Sequence, residues 1–352
     1  MSEAHSLIAE TTSRILRDLG EPQALASAAD ERWKPALWRA LEEAGLTRAW
    51  VPEALGGSGA TIADGFEILR LAGSHAIAVP LAETLLAGWL LARANLPVPD
   101  GPLSIAPVRE GDRIRVDAAG RLSGVAHAVP FARDAVRVAL LARRAEGLAV
   151  ALVETRHCGL RQQANIAGEP RDDLLLDGVV PAAIAPAGLD EDGLLLMGAA
   201  VRATQIGGAL QAILERSVDY ANERVAFERP IGKFQAIQHA LARLAGEAAA
   251  ALMAAGSAAD ALDGGEDFAE ALLLEIASAK IRAGEAAGAG AAIAHQVHGA
   301  IGISAEHALH RYTQRMWAWR DDFGNESQWA VRLGRLVARR GADALWPMLA
   351  AR

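Results

Sequence analysis

Asn222-Glu223-Arg224-Val225-Ala226-Phe227-Glu228-Arg229-Pro230-Ile231-Gly232-Lys233-Phe234-Gln235 separates two long stretches in which apolar residues recur at three- and four-residue spacing. That spacing is the stripe a helix buries, and the Pro-Ile-Gly step cannot continue one. The segment is therefore a break between helices. Arginine's planar fork matches pyrophosphate oxygens, and an aromatic ring beside it packs on a flat heterocycle. The break reads as a loop that grips a dinucleotide; it also reads as a helix-helix turn with a surface arginine, since Pro and Gly punctuate turns generally.

Working outward, helical patterns run roughly over 194–223, 234–263, 267–298 and 305–320, enough for a four-helix bundle. Gln296-Val297-His298-Gly299-Ala300-Ile301-Gly302-Ile303 ends the third of these and exposes glycine backbone where a phosphate or ribose can approach. The same G-x-x-G spacing is found in ordinary helix C-caps. Upstream, Pro181, Pro186 and Gly188 mark a boundary. Before it, short apolar runs (Arg113 to Val116, Val136 to Leu141, Leu148 to Val153, Leu174 to Leu176) read as strands. Pro97, Pro99, Gly101 and Pro102 mark a second boundary, and Leu7 to Leu96 reads as helical, with stripes such as Trp38/Leu41 and Ile62/Phe66/Leu69. Pro52, Gly56, Gly57 and Gly59 break that region with a loop able to approach another backbone closely. The expected fold is mainly α with a small β domain: an N-terminal helical domain (1–99), a central β-barrel-like domain (100–190) and a C-terminal four-helix bundle domain (191–352). The two helical lobes are expected to flank the barrel, with the largest core in the bundle.

A chain of 352 residues exceeds the size of one usual core, which agrees with several units. The net charge of -8 offers no field for a nucleic-acid backbone or an anionic membrane. Cys158 is the single cysteine, so an internal disulfide or thiolate cluster is excluded, and a buried apolar role is expected for it. Met1 to Gly20 carries acidic residues without an uninterrupted apolar run and reads as an amphipathic helix rather than a signal peptide. Leu194 to Val201 is broken by glycine and too short to span a bilayer, so a cytoplasmic protein is expected.

In this order the two breaks resemble the acyl-CoA dehydrogenase family, whose bundle carries R-x-x-F-G-x-P-I followed by F-Q, then Q-x-x-G-G-x-G. Glu228 and Ala300 each replace one glycine of those motifs. Trp38 to Gly59, with Glu43-Ala44-Gly45-Leu46 and Val51-Pro52-Glu53, is similar to the family's first domain. The resemblance is strongest at both ends and poorest between about 100 and 190. It implies an FAD-dependent α,β-dehydrogenation of an acyl-CoA thioester, with electrons passed to an electron-transferring flavoprotein. By position, it implies that Arg224 and Phe227 contact FAD across a subunit interface. Phe234 and Gln235 would lie by the adenine half, and Gln296, Val297, His298, Gly299 and Ala300 would line the pyrophosphate.

The reaction needs a carboxylate to remove the α-proton. Where the family pattern Y-E-G-T supplies a glutamate, this sequence places Phe323 within Asp321-Asp322-Phe323-Gly324-Asn325-Glu326. Asp322, one residue earlier, and Glu326, three later, are the candidate bases, Asp322 the favoured one; each also reads as a loop acid or helix N-cap. The alternative family position on an earlier helix falls near Gly198. The family's T-E-P and G-S-D segment has no counterpart around Ala106-Pro107-Val108. The strand that presents a tryptophan and a threonine to the flavin ring holds Ala128 and Pro130, within Val125 to Asp134. His295, His298, His307 and His310 lack acidic or thiolate partners at ligand spacing, and no metal site is read from them. Trp317, Trp319 and Trp329 read as packing.

Two functions follow. The chain is an acyl-CoA dehydrogenase with an unusual base, in a homotetramer or dimer. Alternatively, it is a degenerate partner subunit supplying cross-interface FAD contacts to a homologous subunit in a heterotetramer. An unrelated helical binding module on the same scaffold is a third option.

Overall fold

The computed structural model describes residues 3–26, 33–264 and 270–350. Its first helices are α1 (Glu3–Leu19), α2 (Pro22–Ala26), α3 (Trp33–Glu43), α4 (Ile62–Ser74) and α5 (Leu81–Arg93). A capping box starts α4: Thr61 Oγ1 accepts the Asp64 N–H while the Asp64 carboxylate accepts the Thr61 N–H. The same carboxylate, 2.7 Å from His5 Nδ1, ties α1 to α4. The glycine-rich loop ahead of α4 folds tightly on itself: a Cβ on Gly57 would lie 1.9 Å from the carbonyl oxygen of Val51, at the loop's own start.

Strands follow: β1 (Leu103–Ala106), β2 (Arg113–Val116), β3 (Leu122–Pro130), β4 (Arg137–Arg144), β5 (Gly147–Glu154), β6 (Gly159–Arg161), β7 (Arg171–Val179) and β8 (Ala183–Pro186). They form one mixed sheet in the order β6-β7-β3-β2-β4-β5-β8, with β1 beside β4. β1 and β2 run parallel to β4, and the remaining pairs are antiparallel. This is the central β unit of the expected architecture, running from β6 to β8. Ile114, Leu122, Ala126, Val138, Leu140, Val153 and Leu174 give it a core of its own.

The C-terminal part contains α6 (Glu191–Glu223), a hairpin of β9 (Val225–Ala226) and β10 (Arg229–Pro230), α7 (Gln235–Asp263), α8 (Glu270–His298), α9 (Leu309–Asp321), α10 (Glu326–Arg340) and α11 (Ala342–Ala350). Residues 267–269, which the periodicity gave to the third helix, lie outside those described. The last two helices exceed the expected four; α10 starts from a capping box of Asn325 and Gln328.

At 33 residues, α6 is long and apolar enough to cross a bilayer, unlike the short stretch the sequence suggested, but its apolar window is wholly buried inside the protein. Helices pack on more than one side of it. A Cβ on Gly208 would lie 2.0 Å from the Arg70 carbonyl oxygen and one on Gly73 2.2 Å from that of Gln205, so α4 and α6 cross at backbone distance. One continuous core joins Leu69 and Leu86 of the N-terminal helices, Leu141 and Val150 of the sheet, and Ile206, Leu210 and Ile276 of the bundle.

Candidate functional site

The Arg224–Gln235 break is a β-hairpin set on the end of α6. Ala226 pairs with Arg229, leaving Phe227 and Glu228 as a two-residue turn. Both have positive φ, +50° and +68°, as a type I′ turn demands. Glutamate holds this left-handed position at a cost of roughly 1 kcal/mol that glycine would not incur. The turn lifts the Phe227 ring into solvent, 89% exposed. Phe234 stands 6.2 Å from it, edge to face, and the Arg229 guanidinium lies 4.2 Å over the Phe234 ring. Arg224 and Gln235 are exposed as well. The break thus presents an arginine fork, an amide and stacking surface to whatever lies outside this chain.

The glycine turn divides by direction. Val297 and His298 are buried, whereas Gln296, Gly299 and Ala300 are exposed. Gly299 has φ +65° and nothing within 4 Å of an added Cβ, so its backbone is open to an approaching group. His298 Nδ1 donates to the Ala294 carbonyl at 2.8 Å, which fixes the ring against its own helix. Its face stacks on Tyr220, in the last turn of α6, with centroids 4.6 Å apart and planes at 24°. Tyr220 in turn accepts the Arg224 backbone N–H at 2.8 Å. The two breaks, about seventy positions apart in sequence, are therefore joined through a ring contact.

The acidic candidates have surroundings unlike those a base requires. Asp322 is buried, with Oδ2 2.9 Å from Arg171 and 3.0 Å from Arg202 Nε. Arg202, itself fully buried, also donates to Glu83 and Gln205, each at 2.6 Å. Burial pushes the Asp322 carboxyl up, but Arg171, Arg202 and Lys280 outweigh it and hold the group below the ordinary carboxylate range. A carboxylate held this way resists taking a proton, so Asp322 is an ion-pair anchor linking sheet, α5, α6 and the α9–α10 loop. Glu326 is drawn away too, 2.7 Å from Arg320 Nε at the start of α10. Lys280, buried and pushed down to about 8 by burial, donates to the Trp319 carbonyl at 3.1 Å and braces the same loop.

Phe323 is fully buried at φ +55°. A Cβ on Gly198 would meet its ring at 2.3–2.5 Å, so the two positions at which the family resemblance places a base are in mutual contact. On the sheet side, Ala128 (φ +54°) gives its N–H to Asp173, and the Pro130 carbonyl accepts from Ser104 at 2.5 Å. Neither side chain carries a donor for a flavin ring. Sequence reasoning missed Glu83, Arg171, Arg202 and Tyr220. A charged or aromatic side chain inside an apolar helical run was the signal for Arg202, yet nothing local pointed to its partners.

The histidines read as packing in the structure. His307 lies edge-on to His298 at 4.9 Å, and His295 Nε2 meets Thr313 Oγ1 at 2.9 Å. Trp319 and Trp329 are buried. Cys158 is half-buried, and burial pushes its thiol up to about 11, which makes it a poor nucleophile.

Residues 2–94 match the family profile described as "Acyl-CoA dehydrogenase, N-terminal domain", and residues 192–320 match "Acyl-CoA dehydrogenase, C-terminal domain". The chain is 29% identical to the acyl-CoA dehydrogenase IpdE2 of Mycolicibacterium smegmatis over 325 residues, covering 90% of this chain and 93% of that protein. It is 28% identical to the acyl-CoA dehydrogenase FadE27 of Mycobacterium tuberculosis, covering 94% and 99%. Among solved structures, a chain of the ChsE4-ChsE5 complex from Mycobacterium tuberculosis superposes with a TM-score of 0.86 at 26% identity, covering 97% of this chain and 99% of that one.

Proposed function

The chain belongs to the acyl-CoA dehydrogenase family, and from that premise we propose that it is the partner subunit of an FAD-dependent acyl-CoA dehydrogenase assembly whose catalytic base comes from a homologous subunit. The observation that carries this reading is the contact of Phe323 with Gly198. It closes both base positions, while Asp322 is committed to Arg171 and Arg202. The similarity to a chain of a two-component complex adds to it.

The residues present fit one half of FAD. Arg224, Phe227, Gln235, Gln296 and the open Gly299 backbone are exposed, and they belong to the two breaks that the Tyr220–His298 stack joins. That surface suits the pyrophosphate and adenine of a cofactor seated mainly on another subunit. FAD supplies the redox chemistry of α,β-dehydrogenation when bound. On this reading Arg224 forks onto pyrophosphate oxygens, the glycine turn offers backbone N–H groups, and Phe227 excludes water from the seam. The acyl-CoA substrate is then held by the partner, from which electrons pass to an electron-transferring flavoprotein.

Expression alone and together with an encoded homologue tests the proposal. The co-expressed complex is expected to be yellow and to bleach with an acyl-CoA, and the chain alone to show no acyl-CoA-dependent bleaching. A homo-oligomer that bleaches at full rate would restore the other reading, in which this chain carries an unusual base of its own.

A further inference from the structure

Resting on that reading, we infer that Tyr220 is a positioning residue for the shared FAD site: its ring, stacked on His298, holds the Arg224 arm and the Gln296–Ala300 turn in one relative orientation. His298 is fixed from its own side by the Ala294 carbonyl and flanked by His307, and Tyr220 reaches across from α6 to stack on its ring face. The α6–α8 packing below, where a Cβ on Gly290 would lie 2.6 Å from Leu210 and 3.8 Å from Ile213, is about two turns farther from the break. Small angular errors there become displacements of an ångström or more at the loop, which is the scale on which cofactor contacts are lost. Arg224 inherits the orientation directly, because its backbone N–H is bonded to the Tyr220 carbonyl.

The ring face makes the contact, so Tyr220→Phe is expected to retain it and Tyr220→Leu to lose it. In the co-expressed complex, the FAD dissociation constant should rise about tenfold for Tyr220→Leu and for His298→Leu, and stay within twofold of wild type for Tyr220→Phe. The double variant should be no weaker than either single one, since both remove the same contact. At saturating FAD, kcat and the KM for the acyl-CoA should be unchanged for Tyr220→Leu, a split that general destabilisation would not produce. If Tyr220→Leu fails to assemble, Tyr220→His, which keeps a stacking ring, and Tyr220→Gln, which does not, make the same comparison. A wild-type complex without FAD overturns both the reading and this inference. FAD held equally tightly by wild type and the ring-less variants overturns the inference alone.

Discussion

The ring of Phe323 stands where a side chain on residue 198 would be, with Cδ1 2.3 Å from a Cβ built on Gly198. One aromatic residue on the α9–α10 loop thus requires glycine on α6, and its ring takes the space that a side chain at 198 would need. The neighbouring Asp322 cannot swing into that volume without leaving Arg171 without its buried counter-charge and Arg202 with Glu83 alone.

Phe323→Glu is therefore expected not to create a base. The new carboxylate would enter a site already holding Asp322, and its burial without a cation of its own should cost about 3 kcal/mol or more. A lowered melting temperature, and no acyl-CoA-dependent bleaching by the isolated variant with FAD, are the expected results. Bleaching would show that the closed site reopens with a single change.

Asp322→Asn separates an anchor from a base. As an anchor, the change should destabilise the chain by about 3 to 5 kcal/mol, because Arg171 and Arg202 lose their shared counter-charge. Turnover per bound flavin in the assembled complex should stay within about twofold of wild type. A base would give the opposite pattern, a loss of several decades in kcat with little change in denaturant midpoint.

The difference between what was and was not legible follows from range. The break at Arg224 could be read because proline, glycine and arginine act through local backbone and local shape, though its β-hairpin could not, and the strand runs from Val136 and Leu148 could be read from their apolar composition. Strands β6 (Gly159–Arg161) and β8 (Ala183–Pro186) escaped notice because three or four residues with a glycine or proline carry little pattern. The fully buried charges escaped for another reason. Arg171 and Asp322 meet across 151 positions and Arg202 and Glu83 across 119, and sequence alone shows only four ordinary charged residues. Distance along the chain from the family's position points to Asp322, whereas its burial and ion pairs depend on residues far away in sequence.

Acid should weaken the chain in two stages. Burial first, then the nearby charge of His298, pushes His307 from 6.5 down to about 4, and burial and Arg216 lower His298 against the raising effect of its Ala294 hydrogen bond. Arg216, His295 and His310 also face the pair, and Glu21 and Tyr312 engage Arg216. Because the folded pKa lies below the unfolded one, the unfolded chain takes up protons first between pH 6.5 and about 4. Stability is then full above pH 6.5 and falls through that window. Asp322 adds a second loss at more acid pH, as its depressed carboxyl is protonated. Melting temperatures from pH 7 to 4 should decline, with a shallower slope for His307→Gln; an unchanged slope would remove His307 from the account.

Phe227 is the test of the surface grip. At 89% exposure it contributes little to the isolated fold, so Phe227→Ala should shift the stability of the chain alone by no more than about 0.5 kcal/mol. In the complex the ring is expected to be covered by FAD or the partner, and its loss should weaken FAD retention about tenfold or more, as removal of a central aromatic anchor does. Arg224→Lys should weaken retention similarly while keeping the charge, because the ammonium cannot make the paired bonds of the fork. Flavin fluorescence released on dilution of the co-purified complex measures both. Retention equal to wild type in both variants would place FAD elsewhere, since the proposed surface offers no other aromatic ring as exposed as Phe227 among the described residues.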